Sequence, residues 1–457
     1  MSAPGYSRSL MLSQAIMLLA PAMLGVFWPL YAFNRDLAIP LLRPVLLTSS
    51  LLLALLWSGK PATRAERQLG AMMAVLVTAM LVPSLLATDP ARALREWLKL
   101  GLMAAYCISF ARALRHRGAA RLYGIGLAVA ACIIGALLMA TYVAHMGMTF
   151  PTYEAVRYHY KAVAINSGVM VNPAAFSCIF CFLCALCILR ASKLLRIIGT
   201  GLLIVCSGFT GTRMPPLATA ASVFLIVLIA GLRSRRLPLR VVAWMFVFCA
   251  CATLVIGVFS AGGEAVFRTM SKASEGRWDV WSVAFAKFTE RPLFGYGYVS
   301  WRDDLVSRLP GEYKMTHEIA AMIAGGYHNE FMTALAEQGI FGSAAVIALF
   351  VYVFRCAWLL AFRQWATWKN GQWALFAAIF LVLRANVEVP GLFGYAQEPA
   401  DFLAYSFVAI LVASLSAEED HNRSVRREER DKHRFSPVAV LPPAPAFARI
   451  LVAEGAD

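Results

Sequence analysis

Residues 325–361 read GGYHNEFMTALAEQGIFGSAAVIALFVYVFRCAWLLA, a short run of mixed polarity followed by a long apolar one. The part from 340 to 361 reaches the roughly 17–25 apolar residues that a helix needs to cross a bilayer. Before it, residues 330–338 fit about two and a half helical turns with apolar side chains on one side. Asn329 or His328 suits the N-cap of that short helix. The stretch therefore predicts a short helix that leads directly into a membrane-spanning one.

Two glycines separate these helices in the sequence. Gly339 follows the last turn of the short helix, where glycine is a common terminator. Gly342 lies at the start of the apolar run, where the absence of a side chain lets a helix pack closely. The spacing from His328 to Gly339 then holds the imidazole at one end of a short helix anchored to the membrane. The positive N-terminus of that helix disfavours imidazolium, so a neutral histidine able to accept a proton is expected. Taken alone, however, the stretch favours a purely structural histidine at the helix cap.

The rest of the chain has the same apolar character. Of its 457 residues, 60% are hydrophobic and 15% are charged, whereas soluble domains average about 45–50% apolar and about 25% charged residues. The composition predicts an all-α polytopic membrane protein with about twelve transmembrane helices. The predicted spans are 10–33, 37–57, 69–88, 97–113, 120–145, 173–190, 194–211, 214–232, 240–262, 340–361, 371–387 and 400–416.

These spans divide the chain into four parts. Residues 1–262 hold helices 1–9 with short loops, and residues 263–338 form a large, mainly helical external loop. Residues 339–416 hold helices 10–12. Residues 417–457 are charged and then rich in proline, which predicts a disordered tail.

Lysine and arginine cluster in alternate loops, which predicts the orientation. The clusters lie at 60–67, 112–121, 190–196 and 233–240, and a further one lies in the tail. The positive-inside rule assigns these segments and both termini to the cytoplasm. Because the formal net charge of +16 is concentrated there, anionic membrane lipids are the expected partner and no nucleic acid is needed to explain it.

Several cations nevertheless fall on the external face, which this rule leaves poor in cations. Arg213 stands in the turn GFTGTRMPP, and Arg157 and Lys161 lie in RYHYKAVAINSG. Arg277 and Trp278 begin a stretch with helical spacing of aromatic residues that ends before a proline, which predicts an amphipathic interfacial helix. Singly, such residues are also typical of snorkelling cations and aromatic anchors. Together they favour a lipid-linked diphosphate as ligand, because guanidinium groups match phosphate oxygens.

Four cysteines at three-residue spacing resemble an iron–sulfur motif but lie in an apolar run. They are Cys178, Cys181, Cys184 and Cys187, in AAFSCIFCFLCALCILR. The run has no turn residues with which to wrap a cluster, so the cysteines are predicted to be packing residues of a membrane helix. We expect neither a metal nor a cofactor.

Three segments together resemble the O-antigen ligase and polymerase superfamily. HNEFMTALAEQGIFG matches its pattern H-[NSQ]-x9-G-x-x-[GTY], with His328, Asn329, Gly339 and Gly342 in the fixed positions. GRWDVWSVAFAKFTERPLFGYG is similar to its GR…W…PL-G-G segment. TGTRMPP is similar to its SR turn, with Thr212 in place of the usual serine. The resemblance covers roughly residues 200–345.

The resemblance implies a membrane-embedded glycosyltransferase of the GT-C-like type in the inner membrane of a Gram-negative bacterium, with its active site facing the periplasm. Its donor would be a glycan on undecaprenyl diphosphate, used without nucleotide sugar or metal. Among family members, ligases that transfer O-antigen to the lipid A-core fit best, because the chain has one dominant external loop late in the sequence. Polymerases and protein O-oligosaccharyltransferases of the family remain alternatives.

The resemblance also implies roles for individual residues. His328 would be the general base, while Arg277 and Arg213 would bind the diphosphate, with inversion at the anomeric carbon. Further substrate-binding candidates are Arg157, Lys161, Trp278, Asn329, Lys314 and Arg384. Of these, Lys314 is also typical of a solvated loop.

Two other classes of function are weighed against this one. A transporter of the same lipid would show charges in mid-span and an internal repeat, whereas the charges within spans are mainly Arg43 and Arg384 and no repeat is found. A metal-dependent transferase could use Asp303 and Asp304 as oxygen ligands, although adjacent loop acids are more often solvated.

Overall fold

The computed structural model describes residues 62–148, 171–189, 281–297, 329–363, 371–385 and 399–435, with short helical pieces among residues 11–23 and 194–202. Within these ranges the chain is helical and contains no strand. Seven helices are defined, and we number them in chain order. They are α1 Arg64–Leu85, α2 Pro90–Leu114, α3 Arg117–Met146, α4 Val171–Ile188, α5 Glu330–Arg363, α6 Gly371–Ala385 and α7 Pro399–Phe435.

Five of the seven helices are long and apolar enough to cross a membrane, namely α1, α2, α3, α5 and α7. Helices α4 and α6 are apolar but shorter. All seven coincide with predicted spans, which confirms an all-α membrane protein for the described part of the chain. The other five predicted spans lie mostly outside the described residues, so the count of about twelve stays a prediction.

Helices α1 and α2 form a hairpin whose ends follow from local sequence. Thr63 and Glu66 form a capping box at the start of α1, which satisfies two backbone N–H groups that the first turn leaves without partners. Asp89 caps α2 and Pro90 occupies its first turn, a position where the missing N–H of proline costs nothing.

Helices α3 and α4 pack closely through small residues. The four regularly spaced cysteines of α4 are buried, and the thiol of Cys178 donates to the carbonyl of Ala131 on α3 at 3.2 Å. A Cβ on Gly135 of α3 would lie 3.5 Å from the sulfur of Cys178 on α4. This agrees with the predicted packing role of the cysteines.

At the opposite end from Asp89, α7 is tied to α1 and α2 by charged and polar groups. Arg115 contacts Asp420 at 2.6 Å and Glu66 at 3.3 Å, and the hydroxyls of Thr63 and Ser416 lie 2.7 Å apart. Helix α7 then continues unbroken to Phe435, whereas the sequence predicted a disordered tail from residue 417. The correction has a physical cause, because contacts with Arg115 anchor the helix just beyond its apolar part.

Candidate functional site

The short helix and the spanning helix of the opening stretch are joined at Gly339 with a change of direction. Gly339 has φ 61° and ψ −160° inside α5. The ring of Phe331 lies 5.1 Å from that of Phe350, although a straight helix would separate these residues by about 28 Å. Segments of about 12 Å and about 16 Å therefore meet at Gly339 at an acute angle. We call residues 329–350 the motif hairpin.

Gly342 makes the hairpin tight. A Cβ on Gly342 would lie 2.1 Å from the Cβ of Gln338, with the sulfur of Met80 on α1 at 3.4 Å. Glycine therefore lets the two arms touch, which agrees with the close packing expected at this position. Only the terminating role of Gly339 was predicted from the sequence, and the reversal was not.

Residues 292–297, which we call the clamp loop, bind both helix ends exposed at the reversal. A helix end leaves backbone groups without intrahelical partners, and here two carbonyls of the first arm and two N–H groups of the second face the same loop. The four hydrogen bonds are Tyr296 N to Ala336 O at 3.2 Å, Gly297 N to Glu337 O at 2.8 Å, Ile340 N to Pro292 O at 2.8 Å and Phe341 N to Leu293 O at 3.5 Å.

Glycine is required on both sides of this interlock. Gly295 has φ 64°, and a Cβ there would lie 2.4 Å from the backbone of Glu337. A Cβ on Gly339 would lie 2.5 Å from the backbone of Leu293. Because the neighbours are backbone atoms, no rotamer change relieves these contacts. Two stretches more than thirty residues apart are thus joined backbone to backbone.

The clamp loop continues a helix that the sequence predicted. Residues 281–290 are helical and end before Pro292, as expected from the aromatic spacing. Glu290 forms a salt bridge with Lys287 at 2.8 Å and accepts a hydrogen bond from the hydroxyl of Tyr296. The Lys287 ammonium, followed by the Tyr296 hydroxyl, lowers the pKa of Glu290 below its usual range. Arg291 stacks over the Tyr296 ring at 4.6 Å, so the helix is fixed to the loop.

Asn329 caps the motif hairpin at its other end. Its side-chain oxygen accepts from the N–H groups of Phe331 at 2.9 Å and Met332 at 3.0 Å. Its carbonyl accepts from the Thr333 hydroxyl at 2.8 Å. The N-cap prediction is confirmed for Asn329, whereas a substrate contact of this residue stays a prediction.

Several charged residues of this region are buried, and of these the sequence analysis singled out only Arg384. Glu330 and Glu337 of the hairpin and Asp401 of α7 have no exposed surface. Arg384 of α6 is 5% exposed, and its guanidinium lies 3.5 Å from the centre of the Phe176 ring. A single sequence gives no signal for the burial of Glu330 and Glu337, because it depends on how the motif hairpin packs. Within the described residues, no group of three or more His, Cys, Asp or Glu is placed to hold a metal ion.

Most of the predicted site residues lie outside the described part of the chain. These are His328, Arg277, Arg213, Arg157, Lys161, Trp278 and Lys314, together with the alternative metal ligands Asp303 and Asp304. Their roles stay predictions. Asn329 and Arg384 are described, and both are buried rather than open to solvent.

The fold is that of an all-helical, multi-pass membrane protein with an interlocked helical hairpin. Residues 198–347 match the family model described as O-antigen ligase, and the interlock lies inside that range. The match covers about a third of the chain and supports its membership of the O-antigen ligase and polymerase superfamily. A search among curated proteins finds no match to the chain.

Proposed function

We propose that this protein is a membrane-embedded glycosyltransferase that transfers O-antigen from undecaprenyl diphosphate to a sugar hydroxyl of the lipid A-core. The observation that carries the proposal is the interlock of the clamp loop with the motif hairpin. It joins the two sequence segments to which the resemblance assigns a phosphate-binding arginine and a general base.

Short chain lengths connect each proposed catalytic residue to the interlock. Arg277 precedes the described helix 281–290 by four residues, and this helix ends at the clamp loop. His328 directly precedes Asn329, the capping residue of the motif hairpin. Four backbone hydrogen bonds fix the two segments to each other. This supports a shared site, because a transfer reaction requires the bound glycan donor and the general base to lie close together.

The proposed reaction needs no nucleotide and no metal. Arg277 and Arg213 bind the diphosphate and stabilise the negative charge that grows as the bond between sugar and phosphate breaks. His328 takes the proton of the acceptor hydroxyl. The hydroxyl oxygen attacks the anomeric carbon opposite the diphosphate, so the configuration inverts and undecaprenyl diphosphate leaves.

Paired substitutions test these roles in purified full-length protein in nanodiscs. We expect His328→Ala to lower the single-turnover rate by about 10²–10⁴-fold with donor affinity nearly unchanged, because the base acts on the acceptor. We expect Arg277→Ala to weaken donor affinity as well as the rate, and Arg277→Lys to recover only part, because lysine lacks the planar fork. Equal losses of donor affinity in both alanine variants would make His328 a phosphate ligand or a structural residue.

A deletion strain tests the acceptor. Loss of the whole O-antigen ladder on a lipopolysaccharide gel, with accumulation of lipid-linked polymer, is the expected result for a ligase. Core carrying a single repeat unit would instead identify a polymerase.

Addition of excess EDTA to the purified protein tests the metal-free mechanism. Turnover is expected to continue. Loss of turnover in EDTA, with recovery only on adding magnesium or manganese, would contradict this mechanism.

A further inference from the structure

Helix α7 extends past the end of the bundle. Asp420 contacts Arg115, the cap residue of α2, at 2.6 Å, and the Glu419 carboxylate accepts from the first N–H group of α1 at 3.1 Å. Helix α7 continues from this level to Phe435, and we call residues 421–435 the α7 extension. The described side chains of the extension, at 421–426 and 428–430, are all exposed. About 15 Å of helix therefore projects from the bundle at its Arg115 end.

The arginines of the α7 extension fall on one side of the helix. The extension holds six lysine or arginine residues and three carboxylates. At about 3.6 residues per turn, the positions of its five arginines lie within an arc of about 100°, and these positions are 423, 426, 427, 430 and 434. We call them the arginine stripe. The positions of the three carboxylates, 428, 429 and 431, lie outside this arc, so the extension has a basic side.

The spacing of the arginine stripe creates repulsion within the helix. Arg426 and Arg430 are four residues apart, and like charges at this spacing destabilise a helix. Arg423 contacts Glu419 at 3.9 Å, whereas no ion pair joins Arg426 or Arg430 to another described side chain. Four residues before Arg426, where a carboxylate would form a favourable pair, the chain has Asn422. An anionic ligand on the stripe would relieve this repulsion.

The distance of the arginine stripe from the membrane argues against lipid headgroups as that ligand. The apolar part of α7 ends at Leu415, so Arg426 and Arg430 lie about 16 Å and about 22 Å farther along the helix axis. A tilt of about 40°, the upper end of the range for membrane helices, reduces these heights to about 13 Å and about 17 Å. The headgroup layer is only about 5–8 Å deep on each side of the bilayer. A soluble ligand is therefore favoured.

Pairing of the stripe with a second copy of this chain is disfavoured by symmetry. Copies in one membrane share an orientation, so their α7 extensions run parallel, and a two-fold axis along the membrane normal brings each stripe opposite itself. The ligand must instead carry the opposite charge. Carboxylates on one side of a helix repeat at the same three- and four-residue spacing, and guanidinium groups bind carboxylates through two parallel hydrogen bonds. An acidic helix thus matches both the charge and the spacing of the stripe.

We propose that the arginine stripe is a docking surface for an acidic helical segment of a soluble partner protein. The stripe lies beyond the start of α1, whereas the clamp loop contacts Ala87 after the other end of α1. The docking surface and the proposed transfer site are therefore at opposite ends of the bundle. The positive-inside rule predicts that the Arg115 end is cytoplasmic, which makes the partner a cytoplasmic protein. This inference goes beyond the proposed function and does not rest on it.

Peptide binding to the full-length chain in phosphatidylcholine nanodiscs tests the stripe. The probe is a fluorescent, alanine-based helical peptide with glutamates on one side only, and a scrambled peptide distributes the same glutamates around the helix. Arg426→Gln combined with Arg430→Gln removes two charges of the stripe and introduces good helix formers. Arg117→Gln combined with Arg121→Gln removes two exposed charges at the same end of the bundle and is the matched control.

We expect wild-type protein to bind the one-sided peptide at least about 5-fold more tightly than the scrambled one, since each exposed charge pair contributes modestly. The glutamine variant of the stripe should lose at least about 5-fold in affinity, and the control should stay within about 2-fold of wild type. Arg426→Lys combined with Arg430→Lys should fall between, because lysine keeps the charge but lacks the planar fork. Equal affinity for the two peptides, or equal losses in the stripe and control variants, would overturn the proposal.

Two further measurements separate the chemical classes of ligand. In phosphatidylglycerol nanodiscs at physiological ionic strength, affinity for the one-sided peptide should stay within about 2-fold, because a membrane charge is largely screened beyond the Debye length of about 8 Å. A larger loss would assign the stripe to lipid headgroups. Tighter, stripe-dependent binding of a single-stranded oligonucleotide of equal charge would assign it to nucleic acid. Either result would overturn the proposal. None of these experiments measures glycan transfer, so a failure of the proposed function leaves their outcome unaffected.

Discussion

At the scale of single residues, backbone conformation explains why glycine stands where the family pattern has it. Gly339 combines φ 61° with ψ −160°, a region that is open almost only to glycine. Gly342 has no such conformation and is needed instead for space against Gln338. The two glycines of one short pattern therefore serve different purposes, one in reversing the chain and one in letting the two arms touch.

Replacing Gly339 with alanine tests the reversal. Backbone strain alone should cost about 1–3 kcal/mol, and the Cβ contact with the Leu293 backbone at 2.5 Å adds to it. Gly101→Ala in α2 is the control, since a Cβ there meets nothing within 4 Å and alanine is the better helix former by about 1 kcal/mol. We expect a large fall in Tm for Gly339→Ala and no fall for Gly101→Ala. Equal Tm values in the two variants would show that the reversal is not needed.

At the scale of elements, the sequence predicts what depends on neighbouring residues. The presence of the seven helices, the helix that ends before Pro292 and the Asn329 cap follow from periodicity, proline and capping preferences. Some helix bounds do not, since α7 runs to Phe435 whereas its predicted span ends at 416. The interlock does not, because it uses backbone carbonyl and N–H groups that every residue type supplies. The complete burial of Glu330 and Glu337 is not predicted from the sequence either, since burial depends on packing across the fold rather than on neighbouring residues.

The cap offers a way to separate a structural from a substrate-binding role of Asn329. Asn329→Ala should destabilise the motif hairpin by about 0.5–2 kcal/mol, whereas Asn329→Ser keeps a capping oxygen and should lose little stability. If capping is the role of Asn329, the serine variant also keeps its turnover. Wild-type stability with reduced affinity for donor or acceptor in Asn329→Ser would instead assign Asn329 to the substrate.

At the scale of the whole molecule, the described helices give the bundle two chemically different ends. One end holds Arg115 with its acidic partners Glu66 and Asp420, and the charged extension of α7 begins there. The other holds the clamp loop, where Gly297 packs against Ala87 after the end of α1. The positive-inside rule predicts that the Arg115 end is cytoplasmic, which would direct the proposed site toward the periplasm.

Thiol labelling in intact spheroplasts tests this orientation. Ser424 is exposed on the α7 extension, and residue 307 lies in the predicted external loop. With a membrane-impermeant reagent we expect Ser307→Cys to react and Ser424→Cys to react only after the membrane is opened. Cys132 is the one exposed cysteine among the described residues, so both variants are made in a Cys132→Ser background. The Cys132→Ser protein without an added cysteine gives the background labelling of the other native cysteines. Labelling of Ser424→Cys alone in intact spheroplasts would reverse the orientation, and a donor presented at the periplasmic face could then not reach the proposed site.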